Sequence, residues 1–74
     1  MRQIPQLTTA ERAAVRRFLR TWQAETVRSG FADTAYIAAA CHHPAGWEVY
    51  KRLRAAIGSD GVAAMFMERE ELAA

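Results

Sequence analysis

The sequence predicts an all-α fold, a small compact bundle of about four helices with two of them short, and three observations lead there. Apolar residues recur at three- and four-residue spacing along most of the chain. Glycine, proline and short polar residues punctuate that pattern at close intervals, where helix caps and stops belong. No segment alternates apolar and polar residues over a β-branched run, so no sheet is expected.

The first helix is expected over residues 9–29. Thr8 and Glu11 have capping-box spacing, in which hydroxyl and carboxylate satisfy each other's backbone amides. Val15, Phe18, Leu19 and Trp22 share one face, and Gly30 supplies the left-handed residue that ends a helix. Asp33 is the expected N-cap of a second helix over 34–42, with Tyr36, Ile37, Ala40 and Cys41 as its apolar stripe. Pro44 ends that helix and suits the first turn of a third, over 45–57. There Tyr50, Leu53 and Ile57 point inward, Glu48 pairs with Lys51 or Arg52, and Gly58 closes the segment. Ser59 or Asp60 caps a fourth helix over 60–71, with Val62, Met65, Phe66 and Arg69 on one strip and Leu72 beside it. Its acidic end, Glu68, Glu70 and Glu71, sits where a helix dipole prefers positive charge.

A chain of 74 residues with 51% hydrophobic content makes one domain with a thin core, in which Phe18, Trp22, Ile37, Leu53, Ile57 and Phe66 are expected to be buried. Residues 1–7 are expected as a flexible lead and 72–74 as a frayed end. With one cysteine, no intrachain disulfide is available, which fits a reducing compartment. Met1–Gln6 lacks the apolar run of a secretion signal and no stretch is long enough to span a bilayer, so a cytoplasmic protein without membrane contact is expected.

Cys41-His42-His43 invites a metal reading. Adjacent residues on a helix point about 100° apart, so three in a row do not close one tetrahedral shell, and no other His or Cys exists. Neither a nucleophile–base pair on separate elements nor a phosphate-binding loop is visible: Gly58-Ser59-Asp60-Gly61 lacks the lysine and spacing of one. The sequence therefore points away from an enzyme, and no cofactor is expected.

Charge carries the strongest positive signal. Residues 1–29 sum to +4 and residues 59–74 to −3. Arg12, Arg16 and Arg20 follow one another at i, i+4 spacing with Arg17 close by, a mildly self-repelling row whose use would be to meet an anion. That anion could be an acidic protein face, nucleic acid or the chain's own acidic end. Trp47, off the third helix's inward stripe, is either a lid on the bundle or an anchor for a partner. Ile37–Cys41 followed by Val49–Leu53 resembles, over roughly a quarter of the chain, the helix-turn-helix of bacterial repressors. The intervening His42–Gly46 break is longer than the usual turn, and the would-be reading helix opens on Trp47 and Glu48 instead of basic residues. The expectation is a small interaction protein, a regulator or phage- or plasmid-type inhibitor, that docks on an acidic protein face through Arg12, Arg16, Arg17, Arg20 and Trp47. The alternatives are a nucleic-acid-binding regulator and a homo-oligomeric subunit whose spare apolar face pairs with itself, as in a homodimer.

Overall fold

The computed structural model describes residues 6–68; among them the only regular structure is helix. Three helices follow in order: α1 (Thr9–Ser29), α2 (Ala32–His42) and α3 (Pro44–Ala63), with a π-helical turn at Ala64–Glu68. The all-α class holds, but the count is three helices, not four.

The third and fourth expected segments are one element broken at a single residue. Gly58 has φ 78° and ψ 165°, a conformation essentially restricted to glycine, and helix resumes at once on its far side. The stop was correctly placed; the loop behind it does not exist. Arg69 and the acidic residues Glu70 and Glu71, like Leu72, lie outside the described residues.

α1 forms as its sequence dictates. The Thr8 side chain accepts from the Glu11 amide and the Glu11 carboxylate accepts from the Thr8 amide, at 3.0 and 2.9 Å. Gly30 closes the helix at φ 81°, its amide donating to the Thr26 carbonyl. α2 departs from expectation at its start. Its N-cap is Phe31, which makes no side-chain capping bond, and Asp33 lies inside the first turn. The helix restarts so soon after Gly30 that Asp33 has already passed the cap; there its charge still complements the dipole. Trp22 Nε1 donates to the Ala32 carbonyl, tying α1 to that start.

The buried face of α2 also differs. Ala35 and Ala39 face inward, Tyr36 and Ala40 are half-buried, and Ile37 and Cys41 are exposed. α2 is apolar nearly all round, so spacing alone does not choose a face. Small residues at i and i+4 let α2 lie close on α1, which turns Ile37 outward.

The core consists of Val15, Phe18 and Leu19 from α1, Ala39 from α2, Val49, Tyr50, Leu53 and Val62 from α3, and Phe66 from the final turn. Leu7, Trp22, Trp47 and Ile57 pack against its edge. α1 touches both other helices more extensively than they touch each other. It approaches α3 tightly at Gly46, where a Cβ would stand 2.3 Å from the Ala14 carbonyl oxygen.

Candidate docking surface

Five aromatic rings form one cluster around Phe18. Its ring lies 5.7 Å from those of Trp22 and Trp47 and 5.2 Å from Tyr50, and Tyr36 touches both tryptophans. Trp47 is half-buried and stacks on Tyr50 at 6.0 Å. Lys51 and Arg54 lie over its ring at 5.3 and 5.8 Å. This placement gives Trp47 the contacts of a lid.

The four α1 arginines differ in exposure. Arg12 is half-buried, while Arg16, Arg17 and Arg20 are exposed. Arg17, one residue beyond Arg16 and so about 100° round the helix, borders the α2–α3 junction. The helix's carboxylates are engaged to either side. Glu11 meets Arg52 of α3 at 2.6 Å, and Glu25 pairs with Arg28. The Thr8 amide first, and Arg52 second, hold the Glu11 carboxyl below its ordinary pKa. The Lys51–Glu48 pair at 3.0 Å matches the spacing read from the sequence.

Large apolar side chains in solvent form the surface that sequence reasoning missed. Val27 is 81% exposed, Phe31 68% and Ile37 53%. Val27 also borders an open groove of about 390 Å3 between the C-terminal half of α1 and the far part of α3. Its apolar lining includes Leu19, Trp22, Tyr50 and Ala63, with Gln23 and Asp60 at its polar margin. Two signals in the sequence could have found this surface. Val27 falls on the arginine side of α1, and Phe31 follows the Gly30 stop directly, where a turn normally carries small or polar residues.

The α2–α3 connection corrects the helix-turn-helix spacing. It is one residue, His43, and not a five-residue break, because Pro44 starts α3 at once with the fixed φ and missing N–H that a first helical position accepts. The start of α3 is then committed inward. Gly46 is buried against Ala14 and Phe18, and Trp47 packs in the aromatic cluster. A reading helix would need those first-turn residues in the major groove.

Cys41 is exposed, not buried on an apolar stripe, and His42 is exposed at the end of α2. The His43 Nε2 lies 2.9 Å from Thr21 Oγ1, which fixes that ring against α1. Among the described residues no group of three or more His, Cys, Asp or Glu side chains gathers to hold a metal ion. No helix in that range is long and apolar enough to cross a membrane. Compared with protein-family models, characterised proteins and solved structures, the chain matches none.

Proposed function

We propose that this chain is a small helical binding module, not an enzyme, and that it works by docking on another protein. The reading rests on Phe31 and Val27, large apolar side chains held in solvent, and on the open apolar groove that Val27 borders. A chain with a thin core gains about 25 cal/mol for each Å² of apolar surface it buries, so leaving these outside forgoes stabilisation. An exposed apolar patch with a charged margin is what a protein partner covers. The exposed Arg16 and Arg20 lie on the same side of α1 as Val27 and favour a partner with an acidic face. The inward commitment of Gly46 and Trp47 weighs against DNA reading by α3.

The test is affinity capture from native-host extract with three proteins: wild type, Val27→Asp with Phe31→Ala, and Arg16→Glu with Arg20→Glu. All four changes are at exposed positions, so each variant should keep the wild-type circular dichroism spectrum. A protein captured by wild type and lost with both variants supports the reading. Capture of nucleic acid with steep salt dependence would establish the nucleic-acid alternative instead. Concentration-dependent self-association without a partner, abolished by Val27→Asp, would make the groove a homo-oligomer interface. Unchanged capture by Arg16→Glu with Arg20→Glu, together with faster hydrogen exchange in the part of α3 beyond Gly58, would assign the arginines to the chain's own acidic end.

A further inference from the structure

The α2–α3 junction carries a second feature, independent of the docking patch. Arg17 of α1, His42 at the end of α2 and His43 in the one-residue connection border a cavity of about 210 Å3, backed by Ala14 and the first turn of α3. Three cationic or protonatable side chains from three parts of the chain thus meet at one opening, and among the described residues no carboxylate lines it. α2 ends and α3 begins here, so their dipole ends oppose one another and the side chains set the sign. Among the described residues Arg17 has no ion-pair or hydrogen-bond partner, whereas Arg28, Lys51 and Arg52 are paired and Arg54 lies on Trp47. His43 is held in place through Nε2 by Thr21, which leaves its Nδ1 for another partner.

We propose that this cavity binds a phosphate-type oxyanion. Arg17 supplies a planar fork of N–H donors from α1, and the two imidazoles supply single donors from the end of α2 and the connection to α3. Donors arriving from several directions suit a tetrahedral anion with several acceptor oxygens better than a flat carboxylate, which one guanidinium satisfies alone. The cavity has room for a phosphate ester as well as for free phosphate.

The experiment is a titration of the whole protein followed by 1H–15N correlation spectra at constant ionic strength. One arm uses inorganic phosphate and the other a nucleoside monophosphate, so the tighter ligand identifies free phosphate or its ester as the source. The expected result is a saturable shift confined to Arg17, His42, His43, Ala45 and Gly46. Arg17→Gln should weaken binding about tenfold or more, since hydrogen bonds to charged groups contribute about 1.5–3 kcal/mol. Arg54→Gln, on the aromatic cluster, should leave it unchanged. Arg17 is exposed, and the same spectra report that the variant remains folded. Shifts that never saturate, that spread equally over Arg20, Arg52 and Arg54, or that persist in Arg17→Gln would overturn the proposal.

Discussion

Replacing Gly46 with alanine adds one methyl group, and the geometry makes that change severe. The new Cβ would lie 2.3 Å from the Ala14 carbonyl oxygen and 2.8 Å from Phe18 Cβ. Both neighbours are rigid: one is backbone inside α1, the other the root of a buried ring. A carbon and a carbonyl oxygen rest about 3.3–3.6 Å apart, so the start of α3 must withdraw by roughly 1 Å. Withdrawal loosens Phe18 from Trp47 and Tyr50, ring contacts worth about 0.5–1.5 kcal/mol each beyond the area they bury. Overpacking of this kind costs about 1–3 kcal/mol, against at most about 1 kcal/mol gained from alanine's better helix propensity. With both neighbours rigid the cost lies at the top of that range, about 3 kcal/mol, so the net expectation is a loss of about 2–3 kcal/mol from a domain whose whole stability is about 4–11 kcal/mol. In thermal melts read by circular dichroism and tryptophan fluorescence, the midpoint should fall by about 8–24 °C. Ala45→Gly, one position earlier and exposed, changes propensity without the clash and should cost at most about 1 kcal/mol. A Gly46→Ala protein as stable as wild type would refute the close approach of α3 to α1.

Phe18→Ala, at the centre of the ring cluster, should cost about 3–5 kcal/mol, read as a large fall of the unfolding midpoint in far-ultraviolet circular dichroism. Gly58→Ala meets no neighbouring atom, so its expected loss of about 1–3 kcal/mol in denaturant melts is purely backbone strain at φ 78° and ψ 165°. Because Thr8 and Arg52 depress the Glu11 carboxyl, its contribution is complete above the ordinary carboxylate range and lost as pH falls through its lowered value. Glu11→Gln should therefore be less stable than wild type at neutral pH and lose less on acidification in parallel melts. A strong chelator should leave the melting midpoint unmoved, since Cys41, His42 and His43 follow one another along the backbone.

Features written into local sequence were legible, and features set by packing between helices were not. The Thr8–Glu11 box, the Gly30 stop, the Pro44 start and the Glu48–Lys51 pair each depend on residues within four positions of one another, and each formed as read. So did the inward face of α1, because its polar and apolar residues separate clearly. α2 offered no such separation, and its orientation was decided by which side chains let it lie close to α1; Ala35 and Ala39 do, Ile37 does not. Gly46 shows the same limit. A glycine after Pro44-Ala45 looks like part of a loop, and only the path of α1 beside it reveals a contact that excludes a methyl group. For the candidate surface, the arginine row was visible as spacing, but the division between Arg16 and Arg17, and the exposure of Phe31, depend on where α2 and α3 come to rest.

The uneven distribution of bulk connects the fold to the proposed docking role. The chain has seven aromatic residues, and five of them crowd into one cluster at the start of α3. That concentration supplies the cohesion that a 74-residue domain without a disulfide needs. It also draws bulk away from the C-terminal half of α1, where Val27 and Ala63 face each other across a groove instead of filling a core. Trp22 and Tyr50 belong to both regions: their rings pack in the cluster and also line the groove. A side chain inserted from outside would therefore meet aromatic surface already held in place, and little of its binding energy would go to ordering loose groups. Phe31 stands at the α1–α2 turn, tied to the same tryptophan through the Trp22 bond to Ala32. A partner that covered Phe31 and filled the groove would complete the end of the bundle that the described residues leave open.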